Sequence, residues 1–514
     1  MKILDCTLRD GGYYTNWDFD KAFLKSYLNA VNSLPIDFVE IGYRSNERGK
    51  YLGEFFYCPE YLLKMLSDQC KKPLALMLNE KEVGLDNIRS LLSQCETVDL
   101  IRLAVAPENF ERSIHIGKLI KSKGFKVAIN LMYMSKWDEI DEMKEILASI
   151  RLNEIDYVNM VDSYGGMTPE RVGIIAREFM KASDVPLGFH GHNNLELALA
   201  NSIVAMREGV AIIDSTFTGM GRGAGNLKTE LLLTYLNANE SLDLDFNVLS
   251  ATVESVRDLQ SRYNWGTNLP YMVAGANSIP QQEIMDWINI RFHSYNSVLK
   301  ALENRKINQS VDLRFPQFTA SMNQNSHGTL IIGGGPSALM HANAIKVWLS
   351  EHMNVNVVFA STKYIHHYTD VKNKAYVCIV GNEGKRLEDN LTNANDLEFS
   401  CILPPFPREM GTYVPNGLRK LTYELDNTPF SDFQASHTSL ALSLALKLNS
   451  KNLFTAGYDG YGANVMNRKE KVLFQENETL FETYSVFSGK SITSITSTDY
   501  SKLKKDSVFR LLRK

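Results

Sequence analysis

The chain has 514 residues, and several familiar patterns are missing from it. No run of about 18 apolar residues occurs, which excludes an ordinary membrane-spanning helix. The amino terminus enters an apolar strand pattern at once and lacks the basic and apolar blocks of a secretory signal, so a cytoplasmic protein is expected. Neither sign of charge dominates. With 55 basic and 59 acidic residues the net charge is −4 and the pI is near 6.2, which argues against nucleic acid and anionic membrane surfaces as partners. Cysteine is sparse. Cys6, Cys58, Cys70, Cys95, Cys378 and Cys401 form no CxxC pair and no zinc spacing, and read as reduced thiols. A GxGxxG turn and a Walker lysine are absent as well.

What is present is a regular alternation over the first 220 residues. Eight strand-like runs are expected, at Ile3–Leu8, Phe38–Tyr43, Leu74–Leu78, Leu100–Val105, Val127–Met132, Tyr157–Val161, Leu187–His192 and Ile212–Phe217. Amphipathic segments separate them, among them Asp20–Asn32, Pro59–Gln69, Asn109–Lys123, Trp137–Ile150, Pro169–Lys181 and Leu195–Glu208. Such alternation predicts an α/β fold of parallel strands with helical crossovers, and eight units match a TIM (β/α)8 barrel. An open doubly wound sheet is the alternative, but it calls for a glycine phosphate loop after an early strand.

In a barrel of this kind the chemistry lies at the carboxyl ends of the strands. That rule collects Arg9 and Asp10 in Thr7-Leu8-Arg9-Asp10-Gly11-Gly12, read as the end of the first strand and its turn. It also collects Glu40, Tyr43 and Arg44 from the second strand, Asn130 from the fifth, and Asp162 and Ser163 from the sixth. His190 and His192 come from the seventh, and a glycine loop runs from Gly219 to Asn226 after the eighth. Residues two apart on a strand face the same side, roughly 7 Å apart. Two imidazoles with the Asp10 carboxylate therefore form a set of two histidines and one carboxylate for a divalent ion with open positions. The lack of thiolates favours Mn2+, Mg2+, Fe2+ or Co2+ over structural zinc, with Mn2+ or Mg2+ foremost and Co2+ or Zn2+ as substitutes.

Residues 1–240 resemble the DRE-TIM metallolyases, the HMGL-like superfamily. The resemblance rests on Asp5-Cys6-Thr7-Leu8-Arg9-Asp10-Gly11-Gly12, Gly188-Phe189-His190-Gly191-His192-Asn193 and the loop ending Gly225-Asn226. It implies that Asp10, His190 and His192 are metal ligands, that Asn226 is a further one, and that Arg9 stabilises an enolate oxygen. The expected activity is a class II pyruvate aldolase, an aldehyde-lyase acting on pyruvate or a related 2-oxoacid and an aldehyde, closest to the 4-hydroxy-2-oxovalerate aldolases. The loop lacks the catalytic cysteine of the HMG-CoA lyases. Tyr13 stands where synthases usually have Gln and where the bacterial aldolases have a catalytic His, so Tyr13, Tyr43 and a water on the metal are all candidates for the base. A Claisen-type acyltransferase using acetyl-CoA, and a nucleotide- or glycan-binding protein with a scaffold barrel, are the other readings.

Four segments are expected: a barrel over 1–245, a helical extension over 246–311, a linker over 312–328 and a Rossmann-like α/β domain over 329–514. The extension reads as helices at Leu249–Tyr263, Gln281–Ile290 and Ser294–Glu303, and by resemblance its Tyr271 is a catalytic proton donor. The last part has strand runs before Gly333-Gly334-Gly335-Pro336-Ser337 and at Val355–Ala360, Ala375–Val380, Phe399–Leu403 and Asn452–Ala456. Together with Asp459 the glycine turn resembles bacterial sialyltransferase-like domains of surface-glycan pathways. That resemblance implies a nucleotide or nucleotide-sugar at Gly333, Gly334, Gly335, Ser337 and Asp459, and a role in polysaccharide biosynthesis. A homo-oligomer is expected.

Overall fold

The computed structural model describes residues 1–84, 87–137, 140–151, 153–289, 294–306, 313–320, 327–390, 398–406, 408, 412–426, 429–430, 433, 436–462 and 468–513. It divides into two compact units, Met1–Met285 and Asp286–Lys514. Among the described residues no helix is long and apolar enough to cross a membrane. All six cysteines are free and buried.

The first unit is a closed barrel of eight parallel strands in sequence order. They are β1 (Lys2–Asp5), β2 (Phe38–Tyr43), β3 (Leu74–Asn79), β4 (Leu100–Val105), β5 (Lys126–Leu131), β6 (Tyr157–Asp162), β7 (Leu187–Gly191) and β8 (Ile212–Ser215). Helices follow the strands, making this a TIM barrel. Side-chain alternation along each strand explains why these runs become barrel staves. One set, including Ile3, Val39, Ile41, Leu76, Ile101, Leu103, Val127, Ile129, Val158, Phe189 and Ile213, packs outward into the main core with the helices. The other set begins at the bottom with an apolar inner layer of Leu4, Phe38, Ala75, Leu100, Ala128, Tyr157 and Ile212. Two residues further along each of these strands the inner layer turns polar: Cys6, Glu40, Arg102, Asn130, Asn159 and Asp214, all buried, with Met77 the exception. On β7 the matching inward residue is His190, buried as well. The barrel is thus plugged by hydrocarbon below and by hydrogen-bonding groups above, which gives the site a dry floor.

The first strand ends earlier than the sequence pattern suggests. β1 stops at Asp5, and Thr7–Thr15 is a helix, so the TLRDGG stretch is helical and not a strand end with a turn. Two glycines in a short helix argue against it on propensity alone. Packing decides otherwise. A Cβ on Gly11 would lie 2.6 Å from the Met220 sulfur, and one on Gly12 would lie 2.1 Å from the Trp17 indole. The glycines therefore permit close approach instead of a reversal of the chain. Helices Phe246–Tyr263 and Leu269–Ala276 complete this unit, the former beside helix Lys21–Ser33.

The second unit holds an eight-stranded parallel sheet. Its strands are β9 (Gly328–Ile332), β10 (Val355–Phe359), β11 (Ala375–Cys378), β12 (Phe399–Leu403), β13 (Thr422–Glu424), β14 (Asn452–Ala456), β15 (Ile492–Ser494) and β16 (Lys504–Lys505). The order is β13-β12-β11-β10-β9-β14-β15-β16, so the winding reverses between β9 and β14. Separate apolar clusters cover the two faces: Ile331, Val358 and Tyr376 on one, Leu330, Ile332, Val357 and Phe359 on the other. This is the doubly wound arrangement of a sheet buried on both sides. The short strands β13, β15 and β16 carry too few residues for periodicity to reveal them. Of the expected linker, positions 312 and 321–326 lie outside the described residues, as does position 290 at the end of one expected helix. The described part of the linker is packed: Phe318 N–H donates to the Glu424 carbonyl at 2.8 Å and Glu424 N–H to the Pro316 carbonyl at 3.0 Å.

Candidate active site

His190 is on β7 and His192 is the residue after next, with ring centroids 5.0 Å apart and edge-to-face. Each imidazole has a partner that can only accept. His190 Nδ1 donates to Asp214 Oδ2 at 2.9 Å, and His192 Nδ1 donates to the Asp162 carbonyl at 2.9 Å. Asp214 is ionised: burial opposes its charge, but Arg102 and His190 outweigh burial and hold its pKa down to about 2. With Nδ1–H engaged in both rings, the tautomer that can offer a lone pair offers it from Nε2. Burial, reinforced by His190, takes the His192 pKa down to about 3, so that ring is neutral at physiological pH.

The Nε2 atom of His190 faces Asp10, 3.8 Å from Oδ2. Burial raises the Asp10 pKa, but Arg9 and the two histidines more than offset it and leave the carboxyl below the ordinary range. Asn226 Nδ2 donates to the same Asp10 oxygen at 2.6 Å, while Asn226 Oδ1 is buried and finds no partner among the described residues. A short antiparallel bridge joins His192 to Asn226. His190 Nε2, the Asp10 carboxylate and the Asn226 amide are thus neighbours, and the His192 ring lies against that of His190. That donor set fits a divalent cation with N/O preference. Among the described residues one group of three His, Cys, Asp or Glu side chains has its ligand atoms all within 4.8 Å of one another, and it is a different one: Cys6, His190 and Asp214. This second cluster suits a metal poorly, because burial, aided by Asp10, pushes the Cys6 thiol well above its usual pKa, and Asp214 is already engaged by Arg102 and His190.

A chain of buried ion pairs supports these donors. Arg9 pairs with Asp10 and donates from Nε to Glu40 at 2.8 Å. Glu40 also accepts from Arg102 at 3.1 Å, and Arg102 pairs with Asp214, which holds His190. Asn130 accepts from Arg102 Nε at 3.2 Å and from Asn159 at 3.0 Å. The carboxylates of Asp10, Glu40 and Asp214 thus alternate with the guanidiniums of Arg9 and Arg102, and Arg222 adds a further positive field at Asp10.

The remaining expected residues fall into two groups. Tyr13 and Tyr43 come together, their hydroxyls 2.9 Å apart. Glu40 and Asn130 belong to the buried network described above. Asp162 accepts from the Gly166 and Met167 amides at 3.1 Å, and burial raises its pKa to about 6 against those bonds. Ser163 accepts from Tyr133 N–H at 2.9 Å. Arg44 donates to the carbonyls of Leu91, Tyr57, Cys58 and Ser93, so it fastens loops instead of offering a free fork to a substrate. Tyr271 is buried against the glycine loop, where a Cβ on Gly223 would lie 3.3 Å from its ring. In the second unit Gly333, Gly334, Gly335 and Ser337 follow β9 and meet Asp459 after β14. There the Asp459 carboxylate accepts the Ser337 N–H at 2.8 Å and pairs with its hydroxyl, occupying the amide that a phosphate would use.

Sequence reasoning missed Arg102, Asp214 and Arg222. The first two had a signal, since each is a lone charge inside an apolar parallel strand, LIRLAV and IIDS, and a charge buried there must be paired. Arg222 was hidden among the glycines of its loop.

Known proteins resemble this chain over the barrel. The HMGL-like family model matches residues 96–259. A 4-hydroxy-2-oxovalerate aldolase of Moorella thermoacetica is 28% identical over 282 residues, covering 54% of this chain and 82% of its own length. An oxaloacetate decarboxylase of Mycobacterium tuberculosis is 29% identical over 253 residues, covering 47% of this chain and 73% of its own. Among solved structures, the N-terminal domain of a candidate aldolase from Bacteroides vulgatus is 50% identical with a TM-score of 0.55, covering 59% of this chain and all of that one.

Proposed function

The chain belongs to the HMGL-like family, and from that premise we propose that its barrel is a divalent-metal-dependent aldolase that makes or cleaves a 4-hydroxy-2-oxoacid through a pyruvate enolate. One observation carries the reading: both imidazoles donate Nδ1–H outward, to Asp214 and to the Asp162 carbonyl, which leaves Nε2 of each ring for a ligand, and Nε2 of His190 lies 3.8 Å from Asp10. Asp10, His190, His192 and Asn226 would hold Mn2+ or Mg2+. A divalent cation there supplies Lewis-acid stabilisation of the negative charge that develops as the C–C bond breaks.

The chain's own residues supply the rest. Arg9 is fixed by Glu40 and Asp10, so its charge needs no reorganisation as an oxyanion forms. The Tyr13–Tyr43 pair offers a hydroxyl at the barrel mouth for proton transfer. Tyr271, held against the glycine loop, is the candidate donor to the opposite end of the nascent bond. The apolar layer below the histidines keeps water from beneath the site. Decarboxylation of oxaloacetate yields the same enolate, and the decarboxylase relative supports it as a second activity of this site. A role for the second unit in nucleotide-sugar or surface-glycan chemistry rests on the short resemblance around Gly333–Ser337 alone.

The test is deuterium exchange at the pyruvate methyl, followed by proton NMR with Mn2+ or Mg2+ and with EDTA as control. Exchange that needs the metal is expected. A metal-loaded protein that leaves the methyl protons in place sinks the aldolase reading.

A further inference from the structure

The two arginines at the barrel mouth differ in how their guanidiniums are engaged. Arg9 is almost wholly buried and its Nε and one terminal nitrogen are tied to Glu40 and Asp10. Arg222, in the loop after β8, is half-buried, and among the described residues it has no hydrogen-bond acceptor and no carboxylate within ion-pair distance. Its guanidinium carbon lies 4.5 Å over the centre of the Tyr13 ring. Stacking of this kind fixes a guanidinium's orientation while leaving its five N–H donors unused. The Tyr13 hydroxyl is paired with Tyr43, and the guanidinium meets the face of the Tyr13 ring, not its oxygen.

Arg222 is also held in place by its loop. Gly223 N–H meets the Met285 sulfur at 3.2 Å, Ala224 N–H donates to Gln281 at 3.2 Å, and Gly266 N–H donates to the Gly223 carbonyl at 3.1 Å. A Cβ on Gly221 would lie 2.8 Å from the Asn226 amide, which places the Arg222 backbone beside the candidate metal ligand. Next to Tyr13 is an aromatic wall: Trp17 meets Tyr13 edge-on at 4.8 Å and Phe56 at 4.8 Å, and Tyr43 at 5.7 Å. A fixed cation with unused donors, partly withdrawn from water, is costly unless a partner arrives. Among the described residues none hydrogen-bonds or ion-pairs with this guanidinium, although the Asp10 charge acts on it at longer range, so its fork is open to an anionic ligand.

Resting on the aldolase reading, we infer that Arg222 selects the carbonyl partner: the aldehyde used or released by this site carries a second anionic group, a carboxylate or a phosphate, which Arg222 binds through its free fork. The 2-oxoacid's own carboxylate belongs at the metal donors, and Arg9 is engaged there, which leaves Arg222 for the other fragment. The aromatic wall borders the carbon chain between the two charges. Sites built around such a polar contact reject analogues that lack the group by large factors, because the buried donor is then left unpaired.

The experiment uses the full chain loaded with Mn2+. Pyruvate methyl exchange is measured first, so that failure of the aldolase reading is seen by itself. Aldol formation is then compared for glyoxylate and succinic semialdehyde, for glyceraldehyde 3-phosphate, and for the neutral acetaldehyde, butanal and glyceraldehyde. The wild type is expected to favour an anionic aldehyde over its neutral counterpart by on the order of 10²-fold or more in kcat/KM. Preference for the carboxylates or for the phosphate identifies which anion is bound. Arg222→Met is expected to collapse that ratio and Arg222→Lys to restore part of it. Exchange without any preference for charged aldehydes in the wild type overturns the inference, and so does a preference that Arg222→Met leaves intact. The wild-type comparison stands even if the variant does not fold.

Discussion

Asp214 shows how a side chain outside the proposed ligand set can orient a member of it. It accepts the His190 Nδ1 proton and is itself held by Arg102, so it sets which nitrogen of His190 carries the lone pair. Replacement by Asn keeps the shape but offers an NH2 group that can turn toward the ring and reverse the tautomer. Asp214→Asn is expected to weaken Mn2+ binding about 10- to 100-fold in a Mn2+ titration followed by electron paramagnetic resonance, with the fold preserved. His192 makes a different statement. Its pKa is about 3 in the folded chain against 6.5 for an ordinary imidazole, burial being the main cause. Below pH 6.5 the unfolded chain binds a proton that the folded chain refuses, so stability falls as pH drops from 6.5 toward 3. Asp214 acts in the same direction lower down, its contribution being lost between about 4 and 2. Asp162 opposes them, since a folded pKa of about 6 means that protonation between about 6 and 4 favours the folded state. Urea unfolding of the metal-free chain at several pH values is expected to lose a few kcal/mol across this window, and His192→Gln to flatten the slope. An unchanged slope in that variant would place the acid sensitivity elsewhere.

Between strands, the inner polar layer works as one network. Arg102 on β4 joins Glu40 on β2 to Asp214 on β8 and braces Asn130 on β5. Its removal deprives two buried carboxylates of a cation. Arg102→Met is expected to cost about 3–5 kcal/mol in urea denaturation, far more than an exposed arginine would, because the uncompensated charges stay in a low-dielectric interior. The glycine loop gives a second case. Gly223 has φ of 62°, and a Cβ there would lie 2.0 Å from Gln281 Oε1. Gly223→Ala meets both backbone strain and a clash, so the loop must move, carrying Arg222 and Asn226 with it. A displacement of about 1 Å is enough to cost on the order of 10²-fold in rate. Metal-dependent pyruvate exchange is expected to drop by at least about tenfold in this variant while the thermal transition of the chain shifts by only a few degrees.

For the molecule as a whole, each unit has its own core. The barrel's clusters draw on residues from Ile3 to Trp265, and the sheet's clusters on residues from Phe318 onward. A chain cut after Met285 is therefore expected to unfold cooperatively and to bind Mn2+ with the affinity of the intact protein, which circular dichroism melting and metal titration would check. Loss of folding on truncation would mean that residues beyond Met285 complete the barrel.

Much of this architecture was legible beforehand. The strands Phe38–Tyr43 and Leu100–Val105 appear with the bounds that period and apolar content suggest, because a strand buried on both faces reads as a continuous apolar run. His190 and His192 were legible from spacing, and Asp10 and Arg9 from their motif. The helix Thr7–Thr15 was not, since its glycines lower helix propensity and only the contacts with Met220 and Trp17, both close to them in space, make glycine necessary. The strands β13, β15 and β16 are two or three residues long and carry no period to detect.

The sequence alone determined the alternation that closes the barrel and the kinds of donor at its mouth, because periodicity and side-chain chemistry are local properties. Tertiary structure decided what each charged group does. Asp10, Asp162 and Asp214 are the same residue type in or just beyond barrel strands, yet one faces Nε2 of His190, one caps a turn and one orients a histidine. Likewise Arg9 is tied to two carboxylates, while Arg222 stacks on Tyr13 and meets no carboxylate at ion-pair distance among the described residues. Those roles depend on which charges come within a few ångströms across the barrel from positions far apart in the chain, and Coulomb and hydrogen-bond energies at that range are set by geometry that no local pattern encodes.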